Sequence, residues 1–514
     1  MNMNQRKIGA ILSYVNLVIR TILGLAYVPL LLYYIGKNEY GLFQLMGSVI
    51  AYFSVLDFGL SAAITRYYAK YLAIRDYLKM ENIVAGALVA YAVVTIVMLI
   101  TGGVVYFSLD SIFGEQFTFN EMVSAKHIFV LLLFNMMITV STLVFTAVIN
   151  AHERFLFIQG VNSVQLILQP FAVIAVMQVR PSAFAVVMVQ TALNILVISA
   201  RIYYSFFKLN IKIKYHFFDK SLFWGMGSLA GSLFIVTLVD QVFWRTNQVI
   251  LGIYGGTAAV AVYAIAATIY MNYMAVSTSI SSVFLPKVTR IVVAGNDRKL
   301  LSELFIKIGR LQYLLLAVVL SGFYLFGQEF IKLWAGGDFL DAYWITLIII
   351  CPFTIDLIQN IGLVIMQAQN NYWFKATVYF IVCIFNIIIA VPLAIKYGGI
   401  GCAIATGLMM FISNGLIMNL FYIKVEKIAI KEFWWQIGKM TVSVLVCTAI
   451  GFTFNYVLYG GIVLFICKIA LYLLLYCILM WLFAMNDYEK NLVKELLNKL
   501  DELWSAIWGT KTIK

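Results

Sequence analysis

The stretch SLFIVTLVDQVFWRTNQVILGIYGG, residues 232–256, decides what kind of fold this chain adopts. It is apolar at both ends and exceeds the roughly 20 residues that a helix needs to cross a bilayer. Its middle nevertheless carries an acid, a base and three amides, which are Asp240, Gln241, Arg245, Asn247 and Gln248. At about 100° per residue these polar side chains share one face, opposite an apolar arc. The pattern predicts a transmembrane helix that borders a water-filled or protein-lined space.

The composition extends this prediction to the whole chain. Of its 514 residues, 63% are hydrophobic and only 11% are charged, and the mean hydropathy is +0.94. A soluble domain is about half apolar and about a quarter charged. We therefore predict a polytopic membrane protein of the all-α class.

Runs of about 20 apolar residues predict fourteen transmembrane helices. They cover residues 8–34, 42–63, 82–108, 128–150, 156–178, 182–206, 222–252, 258–285, 304–327, 342–366, 373–395, 399–422, 434–459 and 461–484. No small-residue cleavage motif follows the first run, so we expect it to remain as a helix. Leucines at helical spacing in the tail predict an amphipathic helix along the inner membrane surface.

The basic residues fix the orientation of these helices. With the N-terminus inside, 28 Lys and Arg residues fall in cytoplasmic segments and five fall outside. This bias predicts that both termini are cytoplasmic. The net charge of +13 is therefore a positive-inside excess spread over short loops, and we exclude a nucleic-acid partner.

A weak internal repeat divides the chain. A shift of 220 residues sets IGKNEYGLF (35–43) against GGTAAVAVY (255–263), and a shift of 217 sets NAHERF (150–155) against QAQNNY (367–372). The repeat predicts two six-helix lobes with the same orientation in the membrane and a substrate site between them. The predicted parts are an N-lobe (1–206), a basic cytoplasmic connector (207–221), a C-lobe (222–425), helices thirteen and fourteen (426–485) and a cytoplasmic amphipathic tail (486–514).

Polar residues inside the predicted spans are candidates for substrate binding. Arg20 lies near mid-depth of span one, on a stripe with Asn16, and an arginine there costs about 2.5–3.5 kcal/mol on insertion scales. An ion pair between the repeats would explain Arg20 as well, because the 220 shift sets it opposite Asp240; we favour a lumen-facing cation. The substrate-binding candidates are Asn16, Arg20, Arg66, Arg245, Asn247, Gln248 and Asn360.

Three acids within spans are candidates for coupling to H⁺ or Na⁺, namely Asp57, Asp240 and Asp356, because an intramembrane acid is by default a functional hypothesis. The structural alternatives are an internal Asp240–Arg245 pair, an interfacial anchor at Arg66 and a hydrogen-bond network around Asp356 and Asn360. Lys468 is expected to snorkel outward without a role.

The inventory of reactive residues excludes other chemistry. The three histidines lie in connecting regions, so they supply no metal site or proton relay inside the membrane. The six cysteines lie in apolar segments and give no extracellular disulfide framework. We expect no catalytic residues, no metal and no cofactor.

Several motifs are familiar. They are VPLLLYYIGKNEYGLFQLMGSV (28–49), LDFGLSAAITRYYAKY (56–71), VINAHERF (148–155), GIYGGTAAVAVYAIA (252–266), LPKVTR (285–290), LWAGGDFLDAYWI (333–345) and YGGIGCAIATGL (397–408). Together they resemble the landmarks of Wzx-type oligosaccharide flippases of the polysaccharide transport family. That family is grouped with MATE multidrug exporters and the lipid II flippase.

The resemblance implies two six-helix lobes around a central cavity in the bacterial inner membrane. It also implies movement of an undecaprenyl-pyrophosphate-linked oligosaccharide, such as an O-antigen, capsule or exopolysaccharide repeat, from the cytoplasmic to the periplasmic leaflet. Arg20 matches the mid-depth arginine of span one in the lipid II flippase. H⁺ or Na⁺, membrane lipids and other glycan-assembly proteins are the remaining partners implied.

Three other functions compete with this reading. A MATE-like ion-coupled exporter of small cations would favour a cavity of net negative charge and normally twelve spans. A membrane glycan polymerase or ligase needs a large outer loop, whereas the longest one here covers about 109–127. A non-transporting scaffold leaves the cost of the intramembrane charges unexplained.

Overall fold

The computed structural model describes residues 3–217, 220–295, 297–369, 371–457, 460–495 and 498. These residues form helices and no β-strand, which confirms the all-α prediction. The α-helices are α1 (Met3–Ala51), α2 (Leu60–Ala73), α3 (Tyr77–Phe113), α4 (Phe119–Ser141), α5 (Leu143–Ala151), α6 (Phe155–Met177), α7 (Ala183–Phe207), α8 (Lys220–Val283), α9 (Leu285–Val293), α10 (Arg298–Trp334), α11 (Asp341–Ile358), α12 (Asn360–Ala368), α13 (Tyr372–Met410), α14 (Met418–Lys424), α15 (Ile430–Val457) and α16 (Gly461–Leu479). Short 3₁₀ turns occupy Tyr52–Asp57 and Gly337–Phe339, and π-helical turns occupy Phe411–Ile417 and Met480–Ala484.

Eleven helical segments of the described chain are long and apolar enough to cross a membrane. Three of them, Ile19–Ala73, Thr237–Val283 and Trp373–Lys424, have 55, 47 and 52 residues. Each of the three is long enough for two crossings of about 20 residues. Counting them twice gives the fourteen crossings that the hydropathy predicts.

Glycines with positive φ interrupt these three long segments. They are Gly36, Gly256 and Gly398, and each lies between two of the predicted spans. Gly36 has φ 73° and ψ 179°, and Gly256 has φ 72° and ψ −176°. This region of backbone conformation is essentially restricted to glycine. The two positions differ by the 220 residues that align the predicted repeats, so the same rare turn occurs at equivalent points of both.

Gly36→Ala and Gly256→Ala are each expected to lower the free energy of unfolding by about 1–3 kcal/mol. A Cβ at Gly36 would meet no atom within 4 Å, so the cost is backbone strain and not a clash. Gly47→Ala is the matched control, because this helical position of α1 is equally open and alanine favours the helix. Denaturant unfolding of the purified protein measures the difference; a Gly36→Ala protein as stable as the Gly47→Ala protein would refute the strain argument.

The chain forms two compact units, each built from two separate ranges. Unit 1 contains residues 1–268 and 376–409, and unit 2 contains 269–375 and 410–514. Within unit 1, α1 packs against α6 and α4, and α2 packs against α5. Within unit 2, α10 packs against α11, α15 and α16. This division follows packing contacts, and the lobe boundaries drawn from the repeat remain predictions.

In unit 2, Lys468 is only 1% exposed, and its Nζ lies 2.7 Å from Glu329 Oε2 on α10. The expectation that Lys468 snorkels outward is therefore wrong, because the neighbouring helix supplies an acid. Two hydroxyl groups of α16 also bond to α10: Tyr472 donates to Ser321 Oγ at 2.6 Å, and Tyr476 donates to the Leu314 carbonyl at 2.8 Å. Helix α16 is thus fixed on α10 along its length.

A second buried ion pair joins α10 to the start of the tail. Arg310 Nε donates to Glu489 Oε1 at 2.6 Å, and its Nη2 donates to Oε2 at 2.8 Å and to the Ala484 carbonyl at 2.9 Å. Arg310 is 6% exposed and Glu489 is 1% exposed. Arg310 is therefore part of the interior of unit 2 and not of a solvent-facing basic surface. The amphipathic part of the tail beyond 495 lies outside the described residues, except for 498.

Candidate functional site

Most of the candidate residues lie in unit 1. Helix α1 carries Asn16 and Arg20, the 3₁₀ turn ends at Asp57, α2 carries Arg66, and α8 carries Asp240, Arg245, Asn247 and Gln248. The other two, Asp356 on α11 and Asn360 on α12, belong to unit 2.

Arg20 is exposed on α1 and makes no hydrogen bond or ion pair with the described residues. Its neighbour on the stripe, Asn16, is 7% exposed. Asn16 Nδ2 donates to the Gln159 carbonyl at 3.1 Å and to Gln159 Oε1 at 3.0 Å, and Asn16 Oδ1 accepts from Ser163. The stripe of span one therefore divides: Asn16 holds α1 against α6, while Arg20 donates to no other described residue.

Arg245 is half-buried on α8. It lies near the Tyr52 hydroxyl, which forms a 2.7 Å hydrogen bond with Thr246 Oγ1. Within the part of the chain that is described, no acid forms a salt bridge with Arg245, so the internal pair with Asp240 is not formed. Asp240 is exposed and interacts elsewhere. Arg66 is also exposed, without a bonded partner among the described residues.

The two amides that follow Arg245 are buried, each 2% exposed. Asn247 Nδ2 donates to the Tyr263 hydroxyl at 2.9 Å and to Thr406 Oγ1 on α13 at 2.7 Å. Gln248 Oε1 accepts from Ser48 on α1. These contacts join α8 to its neighbours, as interhelical amides do in membrane proteins, and they hold Arg245 at a fixed rotation.

Asp57 lies where span two is interrupted. Phe58 (φ 50°) and Gly59 (φ 71°) adopt left-handed conformations, and α2 begins at the next residue. Asp57 Oδ1 accepts from the Tyr91 hydroxyl at 2.8 Å, and the carboxyl group lies near the backbone N–H of Ser61. A negative charge is favoured at the N-terminal end of a helix, so the acid stabilises the break.

Asp57→Asn is expected to leave export of the lipid-linked oligosaccharide, the activity that the resemblance implies, close to the wild-type level, because asparagine keeps an acceptor for Tyr91 and also suits a helix start. Asp57→Ala removes both contacts and should lower the free energy of unfolding by about 1–2 kcal/mol. Unfolding and export measured on the same preparations separate the two roles. A folded Asp57→Asn protein without export would contradict the stabilising role and indicate proton coupling.

The candidates in unit 2 lie in a polar network. Asp356 Oδ1 is 3.6 Å from Lys375 Nζ, and Asn360 Nδ2 donates to Ser277 Oγ at 3.4 Å. Ser277 in turn donates to the Leu357 carbonyl at 2.7 Å and accepts from Gln312 at 2.9 Å. Both candidates thus have protein partners, as the structural alternative for this span expects.

Sequence reasoning did not single out Arg201, near the end of predicted span six (182–206). Arg201 is half-buried on α7, with Nη2 2.9 Å from Asn162 Oδ1 and Nη1 3.3 Å from Thr146 Oγ1. Its Nε is buried and has no hydrogen-bond partner among the residues that the structure describes. Its position at the end of span six is also that of an ordinary interfacial anchor. No sequence signal therefore distinguishes an anchor from a half-buried, hydrogen-bonded arginine.

The comparisons with known proteins agree with this architecture. The sequence model of the polysaccharide biosynthesis protein family matches residues 7–292, whereas no curated protein matches the sequence. The lipid II flippase MurJ in an inward closed conformation is similar with a TM-score of 0.72 at 18% identity, covering 92% of this chain and 97% of that one.

Two MATE transporters are also similar in structure. An inward-facing MATE family transporter of the MOP superfamily has a TM-score of 0.66 at 13% identity, covering 80% of this chain and 95% of that one. The Vibrio cholerae MATE transporter VcmN has a TM-score of 0.55 at 11% identity, covering 83% and 99%. At these identities the likeness concerns the fold.

Proposed function

The chain belongs to the polysaccharide biosynthesis protein family, and from this premise we propose that it is a flippase for a lipid-linked oligosaccharide. The cargo is an undecaprenyl-pyrophosphate-linked sugar unit, moved from the cytoplasmic to the periplasmic leaflet of the bacterial inner membrane by alternating access. The protein acts as a transporter and not as an enzyme. The fold that it shares with a lipid II flippase supports the proposal.

One observation carries the proposal: Arg20 and Arg245 present guanidinium groups from membrane-spanning helices without a carboxylate partner among the described residues. An uncompensated charge at that depth is costly, so each guanidinium needs water or an anion. A pyrophosphate supplies the anion, and arginine matches phosphate with two parallel hydrogen bonds. Arg66, toward the cytoplasmic end of the predicted span two, would meet the head group first.

The amides divide between two tasks in this proposal. Asn247 and Gln248 keep α8 in the rotation that presents Arg245, and Asn16 keeps α1 against α6 beside Arg20. Asn360, which is only half-buried, would donate to sugar hydroxyls. The polyprenyl tail would remain in lipid throughout.

The membrane potential can drive this transport. Moving a negative head group outward is downhill by about 2.3 kcal/mol per charge for each 100 mV. Coupling to H⁺ or Na⁺ through Asp240 or Asp356 is the alternative, and Asp57 joins them only if its substitution by asparagine stops export. Dissipating the potential and the ion gradients separately distinguishes these sources.

A leaflet-specific assay tests the function. The full-length protein is reconstituted into vesicles that contain a fluorescent polyprenyl-pyrophosphate oligosaccharide, and a membrane-impermeant quencher reports how much label reaches the outer leaflet. We expect label to cross faster than in protein-free vesicles, while a labelled phosphatidylcholine does not. Equal rates with and without protein would overturn the proposal, and uptake of a cationic dye by the same vesicles would favour a MATE-like exporter.

A further inference from the structure

The basic connector after α7 follows a fixed path. Residues 210–217 have no helical structure, yet the side chain of the buried Asn82, near the start of α3, bonds to both the backbone N–H and the backbone C=O of Phe217 in this segment. Asn82 Nδ2 donates to the Phe217 carbonyl at 2.8 Å, and Asn82 Oδ1 accepts from the backbone N–H groups of His216 at 3.1 Å and Phe217 at 3.3 Å. A single amide that donates and accepts in this way sets the position of the connector on unit 1.

Two more contacts complete this attachment. His216 Nε2 lies 2.8 Å from Glu81 Oε2, and the Ile211 N–H donates to the Ser205 carbonyl at 3.3 Å. Ile211 is 8% exposed, so the start of the segment is seated against the protein. The connector therefore presents a defined surface.

That surface combines cations with exposed apolar side chains. Lys208, Lys212 and Lys214 are all exposed, and Ile213 and Tyr215 between and beside them are 39% and 58% exposed. Along residues 212–215 exposed basic and exposed apolar side chains therefore alternate in sequence.

The α2–α3 turn, next to the attachment point at Asn82, has the same character. Ile74, Tyr77 and Leu78 are 63%, 65% and 59% exposed, and Arg75 is exposed between them. The acids nearby are engaged: Asp76 lies 3.5 Å from Lys79, and Glu81 pairs with His216. We call residues 74–79 and 208–217 together the basic platform. Within the described residues its charged groups without an acidic partner are Arg75, Lys208, Lys212 and Lys214.

We propose that the basic platform is a binding site for the phosphate groups of anionic phospholipids in the cytoplasmic leaflet. Both of its segments directly follow or precede membrane-spanning helices, so they lie at the level of the head groups. Large apolar and tyrosine side chains beside lysines are typical of segments that rest in the membrane interface. Each lysine near an anionic surface adds about a fivefold preference for it, whereas a soluble polyanion would leave Ile74, Tyr77 and Leu78 uncovered.

Chemical footprinting of the wild-type, full-length protein tests the site. The protein is placed in nanodiscs of phosphatidylcholine alone or with phosphatidylglycerol, and the rate of lysine acetylation is read by mass spectrometry. We expect acetylation of Lys208, Lys212 and Lys214 to slow about fivefold with phosphatidylglycerol at low salt and to recover at high salt, since exposed charges are screened. Lys424, Lys427 and Lys431, three exposed lysines at another connection, should change less than about twofold. Equal protection of both sets, or of neither, would overturn the proposal.

A pair of charge-matched variants gives an independent readout. The triple substitution of Lys208, Lys212 and Lys214 by Gln removes three charges without touching the contacts of Asn82 or His216, and the same change at Lys424, Lys427 and Lys431 is its control. Native mass spectrometry of protein released from mixed nanodiscs should show at least about a fivefold lower phosphatidylglycerol-bound fraction for the first variant only. Similar losses in both would refute a localised site. Neither measurement depends on transport, so the result for the lipid site is independent of the proposed flippase activity.

Discussion

Arg20→Ala and Arg245→Ala should each slow flipping of the lipid-linked sugar by about 100-fold. A hydrogen bond to a charged group contributes about 1.5–3 kcal/mol, and a phosphate left unpaired adds its desolvation cost. Because neither guanidinium forms a salt bridge within the described chain, its loss leaves no protein acid uncompensated and the fold should persist. The leaflet-specific assay, run at equal protein content, measures the rate.

Two further variants sharpen this test. Arg20→Lys keeps the charge but loses the planar fork that binds phosphate through two bonds, so about a tenfold loss is expected. Arg180→Ala is the control, since Arg180 is an exposed arginine in a predicted outer loop and its loss should leave the rate unchanged. If both arginines grip one pyrophosphate, the double alanine variant should be little worse than either single one. Wild-type rates in both single variants would remove these residues from the mechanism.

Breaking the buried pair between Arg310 and Glu489 should be the most destabilising single change. Glu489→Ala leaves an arginine of 6% exposure without its acid, and removal of one partner of a buried pair costs about 3–5 kcal/mol. Replacing both residues together, Arg310→Met with Glu489→Leu, should recover most of that loss because no charge remains buried. Denaturant unfolding of the wild type, Arg310→Met, Glu489→Leu and the double variant measures the interaction energy.

The pair of Lys126 and Asp110 provides the comparison. Its atoms are equally close, at 2.6 Å, but the side chains are 25% and 57% exposed. An exposed pair contributes at most about 1 kcal/mol, so Lys126→Ala should have little effect on unfolding. A Glu489→Ala protein no less stable than Lys126→Ala would show that the buried pair is not needed to fix the tail on α10.

Hydropathy predicts most of this fold, because a span is a local property of about 20 consecutive residues. The three glycine breaks fall between predicted spans, at Gly36, Gly256 and Gly398. The interruption of span two is different: residues 42–63 read as one continuous helix, although Phe58 and Gly59 are left-handed. In the sequence only Gly59 indicates this break, because phenylalanine rarely adopts a left-handed conformation and Phe58 therefore gives no signal.

The partners of the polar residues could not be predicted. A helical wheel gives the face of a side chain but not the helix that it meets, and Thr406 is 159 residues from Asn247. For the same reason the sequence did not reveal the acids that pair with the buried Arg310 and Lys468. These acids, Glu489 and Glu329, lie 179 and 139 residues away in sequence. Arg20 and Arg245 could be proposed as candidates from the sequence, because the position of a residue along a predicted span is itself a local property.

The contact between Lys468 and Glu329 also bears on how the chain enters the bilayer during synthesis. Glu329 is synthesised 139 residues before its cation, so this ion pair can form only after α16 has been synthesised. Helix α16 in turn carries a lysine that opposes insertion by about 2.5–3.5 kcal/mol at mid-helix. The acid on α10 therefore offsets part of the cost of placing α16 in the membrane.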